Sequence, residues 1–220
     1  MSQLRRLGVE ALVLEGRVEV GRHRVLGKGC TSVVVKAVAE GREVALKIRR
    51  TDSDRESVER EAEILREANR YGIGPRLLGY TEDVLMMECV EGIPLVEWLE
   101  GARDPKEVKR VLKKLLDMLF EMDRRRICHK ELSRPGEHIA IRGGEPVVLD
   151  FETASLSSKR SNLTQVLGYL VLGRGKARDK LSSLLRVDAE RLKKLLKRYK
   201  VRRDEETYRE VLECLGLLDE

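Results

Sequence analysis

Gly27-Lys28-Gly29-Cys30-Thr31-Ser32-Val33-Val34-Val35-Lys36-Ala37-Val38-Ala39-Glu40-Gly41-Arg42-Glu43-Val44-Ala45-Leu46-Lys47-Ile48-Arg49 is the stretch from which the rest of the chain can be read. Residues 32–39 and 43–49 are β-branched and apolar, and residues 40–42 form a turn signal between them, so a hairpin is expected. A further strand is expected at 22–26, joined to this hairpin through 27–29. The run Gly27, Lys28, Gly29, Cys30, Thr31, Ser32, Val33 admits two readings. It is a plain hairpin turn, or it is a loop whose glycines bring backbone amides close to phosphate oxygens. Val44-Ala45-Leu46-Lys47 carries the same choice: Lys47 is a solvated lysine at a strand end, or a cation that holds nucleotide phosphates beside that loop.

Working outward, Ser53 is expected to cap a helix that runs to about residue 70, with Val58, Ala62, Leu65 and Ala68 at helical spacing. Three glutamates alternate along it. Glu61 falls on the face of 58, 62 and 65, whereas Glu59 and Glu63 fall towards solvent. A carboxylate on the buried side calls for a cation, and Lys47 is the natural one. A surface i,i+4 pair is not supported, because Ser57 and Leu65 hold the flanking positions. Gly72 and Gly74-Pro75 stop the helix, and residues 84–89 read as another strand.

Beyond residue 91 the character changes. Pro105 can open a long helix whose face is Val108, Val111, Leu112, Leu115, Leu116, Leu119 and Met122. Two short strands are expected near 138–141 and 146–149 about the turn Arg142-Gly143-Gly144, followed by helices with breaks near 173–175, 187 and 201. The class is therefore α+β. Two lobes are expected: a β-rich one with a single helix over 1–90, and a helical one over 91–220.

Composition narrows the setting. The 220 residues carry a net charge of +6, and aromatic residues make up only 4%, too few for a surface that stacks many bases. Residues 174–203 hold 13 Lys and Arg against three acids, whereas 204–220 hold seven acids and one Arg. The positive excess thus sits on one segment, which is either a solvated face or a site for a polyanion. The four cysteines, Cys30, Cys89, Cys128 and Cys214, fit neither a zinc site nor a disulfide framework and are expected to be reduced thiols of a cytoplasmic protein. No signal peptide or membrane span is expected. Two Asn and two Gln among so many Glu, Lys and Arg point to a thermophile.

Chemistry in the second half centres on His129-Lys130-Glu131-Leu132-Ser133-Arg134-Pro135 and on Val147-Val148-Leu149-Asp150-Phe151-Glu152. Asp150 ends an apolar strand, where a carboxylate either holds a magnesium ion or caps a turn. His138 is either a site residue or a strand-edge histidine. The order of glycine loop, lysine strand, inward glutamate, extended hinge, long helix, His-x-acid loop and Asp-Phe resembles the protein-kinase signature over about residues 20–151. That resemblance implies ATP and Mg2+ as cofactors, with Met87 screening the back of the nucleotide pocket and the backbone of Glu88–Val90 bonding adenine. It further implies Lys47 and the 27–33 loop on the phosphates, Glu61 fixing Lys47, Asp150 and His138 on the metal, and Glu131 orienting the attacking hydroxyl.

The departures refine the resemblance. Glu131 stands where kinases have Asp, the usual metal-binding Asn position falls on Gly136, and Asp-Phe-Gly is Asp150-Phe151-Glu152. No Ala-Pro-Glu activation segment follows. This truncated plan is similar to the RIO group of atypical kinases. With Asn162-Leu163-Thr164-Gln165 added, it resembles the small archaeal RIO-like RNA kinases, which implies transfer from ATP to an internal ribose 2′-hydroxyl, that of a variable-region uridine in tRNA. Arg124, Arg125, Arg126, Lys130, Arg134 and segment 174–203 are the expected tRNA contacts. A RIO-like protein serine/threonine kinase or self-phosphorylating ATPase is the alternative, and a nucleotide-binding scaffold the third.

Overall fold

The computed structural model describes residues 2–218, which divide into two compact units with the boundary between Glu91 and Gly92. The first unit runs α1 (Ser2–Arg6), β1 (Val9–Val13), β2 (Val18–Val20), β3 (His23–Val25), β4 (Gly27–Lys28), β5 (Ser32–Ala39), β6 (Arg42–Arg49), α2 (Glu59–Asn69), β7 (Leu77–Tyr80) and β8 (Val84–Glu88). The main sheet has the order β1-β5-β6-β8-β7, with β4 also on β5. The β5–β6 hairpin closes through Glu40 and Gly41, both at positive φ, the geometry of a two-residue turn that matches strand twist.

Strand parity then sorts the side chains. Val35, Ala37, Val44, Leu46 and Val84 bury one face, joined by Val25 and Ala39 and covered by Leu4, Leu7, Val9, Val18 and Val20. The opposite face carries Val34, Lys36, Ala45, Lys47, Leu85 and Met87, through the pairs Val34↔Lys47, Lys36↔Ala45, Lys47↔Leu85 and Ala45↔Met87.

Helix α2 buries Glu61, Ala62, Ile64, Leu65 and Ala68. It begins at Glu59 rather than after Ser53. The Ser53 hydroxyl is used locally, accepting from the Arg55 amide, and the buried Val58 bonds Glu82 before the helix can start. Its end is fixed by Asn69, whose amide donates to the carbonyls of Ile73 (2.9 Å) and Pro75 (3.0 Å) and accepts from the Leu77 N–H (2.7 Å). One side chain thus stops the helix and starts β7.

The second unit runs β9 (Ile93–Pro94), α3 (Leu95–Gly101), α4 (Pro105–Arg124), α5 (Pro135–His138), β10 (Ile139–Arg142), β11 (Glu145–Val148), α6 (Asn162–Leu170), α7 (Lys176–Leu184), α8 (Ala189–Arg202) and α9 (Glu205–Cys214). The strands form one sheet, β11-β10-β9. The β10–β11 turn is Gly143-Gly144, both at positive φ. Helix α4 starts at Pro105 with Asp104 accepting from the Lys106 amide, and it buries the full apolar stripe expected of it. The terminal helices dock on it through aromatic contacts. Phe120 stacks on Tyr208 at 4.2 Å and tilts against Tyr199 at 6.2 Å, while the Tyr208 hydroxyl donates to Asp117 at 2.7 Å. Among the described residues no helix is long and apolar enough to cross a membrane.

Candidate functional site

In the first unit, Lys47 on β6 and Glu61 on α2 meet as expected. Nζ donates to Oε1 at 2.9 Å, and both residues are about 97–98% shielded from solvent. A second cation, unforeseen from the sequence, completes the arrangement: Arg55 donates from Nη1 to Oε2 of Glu61 at 2.9 Å. Glu59 and Glu63 are exposed. Ala45 and Met87 share the face of Lys47.

Residues 27–33 form a hairpin. Gly27 and Lys28 pair with Val34 and Val33, and the Gly29 N–H is committed to the Ser32 carbonyl at 2.8 Å. Lys28, Gly29 and Cys30 are exposed, Thr31 is half-buried and Ser32 is buried. Val33 departs from its expected place. It pairs with Ile48 and packs with the apolar core on the far face, because strand parity gives the Lys47 face to Val34. Strand β8 ends at Glu88, whose N–H donates to the Arg76 carbonyl, so Cys89 and Val90 continue as irregular chain.

Lys36 also lies on the Lys47 face and was not singled out by the sequence. It is buried, with Glu15 and Glu91 each at 2.7 Å and Glu43 at 3.6 Å. Hydrogen bonds to Glu15 and Glu91 hold its ammonium well above the ordinary lysine range.

In the second unit the His129–Pro135 loop is fixed from several sides. Cys128 exchanges both backbone hydrogen bonds with Ser155. The His129 N–H donates to the Asn162 Oδ1 at 2.9 Å, and its carbonyl accepts from the Gln165 Nε2 at 3.0 Å. The His129 ring is fully buried; Nε2 lies 3.0 Å from the Leu149 carbonyl and Nδ1 lies 3.3 Å from the Glu131 N–H. A carbonyl on one nitrogen and an amide N–H on the other require the neutral Nε2–H tautomer. Burial, with the neighbouring His138, pushes its pKa below the ordinary value of 6.5.

Asp123, at the end of α4, organises this region. It accepts from the Ser161 hydroxyl (2.7 Å), the Asn162 N–H (2.7 Å) and Nδ2 (2.9 Å), the Leu163 N–H (3.4 Å) and the Tyr199 hydroxyl (3.1 Å). Asn162 also donates to the Ile127 carbonyl at 2.7 Å. Neither Asp123 nor Tyr199 carries a spacing signal; only the resemblance drew attention to Asn162 and Gln165.

Glu131 is half-buried, and its Oε2 accepts from the Thr153 hydroxyl at 2.9 Å. Asp150 is exposed and held at φ 62°, with Oδ1 accepting from the Glu152 N–H at 3.3 Å. A non-glycine residue at positive φ costs about 1 kcal/mol or more and persists where its surroundings fix it. His138 ends α5 instead of opening the next strand. Its ring lies 5.0 Å from that of His129, and its buried Nδ1 has no hydrogen-bond partner among the described residues.

The basic surface is more divided than the sequence implied. Arg191, Arg198 and Arg202 on one flank of α8 pair with Glu213, Glu210 and Glu206 of α9. The acidic tail therefore neutralises part of the basic segment. Lys193, Lys197 and Lys200 occupy the other flank and are exposed. Arg124, Arg126, Lys130 and Arg134 are exposed, and Arg125 pairs with Glu121. No protein-family model matches the chain, and no curated protein matches it.

Proposed function

We propose that this protein is an ATP-dependent phosphotransferase with the two-lobe plan of RIO-like kinases, and that its acceptor is an internal ribose 2′-hydroxyl of tRNA. The observation that carries the reading is the buried Lys47–Glu61 pair. A buried ion pair contributes little net stability against apolar packing, so its presence favours a use for the ammonium beyond holding the fold. Lys47 would bind phosphate oxygens while Glu61 aims it, and Ala45, Val34 and Met87 give that face an apolar surface suited to a base.

In the second unit Asp150 offers an exposed carboxylate, an oxygen donor of the kind a magnesium ion takes, whereas the Nδ1 of His138, though it has no hydrogen-bond partner among the described residues, is a nitrogen donor that this hard cation disfavours. Bound there, Mg2+ would neutralise charge on the transferring phosphoryl oxygens. Glu131 would orient the attacking hydroxyl and accept its proton, with Thr153 restraining one carboxylate oxygen. The neutral His129 supports this loop from within. The exposed flank Lys193, Lys197 and Lys200, with Arg124, Arg126, Lys130 and Arg134, would hold RNA phosphates, a recognition mode that needs few aromatic residues.

Transfer of label from γ-labelled ATP with Mg2+ tests this, using bulk tRNA, a generic protein acceptor, or the enzyme alone. Label in tRNA that alkali and nuclease digestion trace to an internal 2′-oxygen is the expected result. Label confined to protein would overturn the RNA acceptor, and nucleotide binding without transfer would leave only a scaffold. Self-phosphorylation is favoured by one observation, the Thr153 hydroxyl already resting on Glu131. Under that reading Thr153→Val abolishes label in the enzyme; under the RNA reading label in tRNA persists.

A further inference from the structure

The chain between Ser155 and Ser161 is pinned at both ends. Ser155 exchanges backbone hydrogen bonds with Cys128, and the Ser161 hydroxyl donates to the buried Asp123 at 2.7 Å. Between these points lie Lys159 and Arg160, both exposed. The Arg160 N–H donates to the Ser158 hydroxyl at 3.2 Å, and its Nη1 donates to the Lys130 carbonyl at 3.4 Å. That carbonyl belongs to the peptide bond joining Lys130 to Glu131, whose N–H faces Nδ1 of the buried His129 at 3.3 Å. One guanidinium therefore rests on the peptide that carries Glu131.

A second arginine joins from α8. Arg203 is the C-cap of that helix at φ 52°, a conformation that costs a non-glycine residue free energy and clusters at functional positions. Its Nη2 donates to the Lys159 carbonyl. Lys130, Lys159, Arg160 and Arg203 are thus strung together by backbone contacts, although like charges repel. Neighbouring arginines are treated differently: Arg125 pairs with Glu121, and Arg198 and Arg202 pair with Glu210 and Glu206. Among the described residues no carboxylate forms an ion pair with any of the four. The acids near Arg203 are Asp123, committed to its buried donors, and Asp204, which accepts from the Thr207 N–H at 2.8 Å to cap α9. A fixed group of cations of this kind attracts an anion, and guanidinium forks suit phosphate oxygens.

Chemistry narrows the anion. In RNA the carbon bearing the 2′-hydroxyl is bonded to the carbon bearing the 3′-phosphate, so a 2′-oxygen delivered to Glu131 brings a phosphodiester with it. We infer that Lys130, Lys159, Arg160 and Arg203 form a cradle for the phosphodiester next to the ribose that Glu131 orients. This rests on the reading of the acceptor as an RNA 2′-hydroxyl.

Filter binding of bulk tRNA without ATP, repeated across salt concentrations, tests the cradle. Arg160→Gln/Arg203→Gln keeps a side-chain donor at each position and removes two charges. It should bind tRNA roughly tenfold more weakly and lower the salt slope by roughly 1.5–2. Arg160→Lys/Arg203→Lys, which keeps the charges, should restore the slope. Lys106→Gln/Arg110→Gln removes two exposed cations of α4 and controls for net charge; its slope should stay within about 0.5 of wild type. If Arg160→Gln/Arg203→Gln has the slope of wild type, or loses no more than this control, the inference fails while tRNA binding by wild type still stands. If melting curves show that the double variant does not fold, Arg160→Gln alone decides: the slope should fall by roughly one, and an unchanged slope refutes the cradle. Placement is read from tRNA with a single methylphosphonate on the 3′ side of the labelled ribose. That change should weaken wild type about as much as Arg160→Gln does, and the two together should cost little more; additive losses would overturn the placement. Wild type that does not bind tRNA would overturn the RNA acceptor and the cradle together.

Discussion

Replacing Asp123 by Ala should unfasten the second unit from its centre. Asp123 accepts five hydrogen bonds from four residues, and Ser161, Asn162 and Tyr199 are nearly inaccessible to water. Each bond to a charged acceptor is worth about 1.5–3 kcal/mol, and an orphaned buried donor costs about 1–3 kcal/mol. Two effects shrink the sum. Burial pushes the Asp123 carboxyl above its ordinary value of 3.8, against the pull of its Asn162 and Ser161 donors, so desolvation offsets part of the gain. The Leu163 contact is long at 3.4 Å, and Asn162 keeps its bond to Ile127. A net loss of about 3–4 kcal/mol follows. With a urea slope of about 2 kcal/mol per M, the midpoint should fall by roughly 1.5–2 M. Trp98, in α3, is the only tryptophan, and its fluorescence reports this unit. Asp123→Asn keeps one acceptor oxygen and should lose about half as much. A midpoint for Asp123→Ala within about 0.3 M of wild type would refute the reasoning.

Because burial lowers the pKa of His129, the folded state resists its protonation. Between that depressed value and the ordinary 6.5 the unfolded chain binds more protons, so stability present above pH 6.5 is lost as pH falls through this window. The urea midpoint followed by Trp98 should decline there, and a flat profile would contradict the neutral tautomer. Gly16 sits at φ 146°, and a Cβ there would lie 2.1 Å from the Val25 carbonyl oxygen, so Gly16→Ala should cost the first unit about 2 kcal/mol or more in chemical denaturation. Charge reversal of Lys193, Lys197 and Lys200 together should weaken tRNA binding and reduce the salt slope by roughly two to three, measured by filter binding across salt concentrations. Reversal of Arg191, Arg198 and Arg202, already paired with α9, should act mainly on stability.

Residue patterns made some of this legible and hid the rest for identifiable reasons. The inward turn of Glu61 follows from its spacing to Val58, Ala62 and Leu65, which is a property of one helix. The β5–β6 and β10–β11 turns carry glycines where positive φ is needed, at Gly41 and at Gly143-Gly144. Arg55 was invisible because its loop has no period, and its partner is chosen by packing. Val33 and Val34 are chemically alike, and only the register with β6 decides which faces Lys47. Strand β1 escaped because a bulge between Val9 and Ala11 breaks its alternation, and β7 because it is four residues long with Gly79 inside it. The contest between α8 and α9 charges depends on two helices folding back on one another, which net charge along the chain does not encode.

Phosphoryl transfer by Lys47→Ala and Asp150→Ala, assayed with labelled ATP and tRNA beside wild type, bears most directly on the chemistry proposed. Asp150→Ala should retain the Trp98 unfolding midpoint within about 0.5 M, Lys47→Ala, which lies in the first unit, should keep the far-ultraviolet circular dichroism of wild type, and both should lose transfer by more than about 100-fold. Wild-type transfer undiminished in either variant would mean that these two side chains do not handle the phosphates.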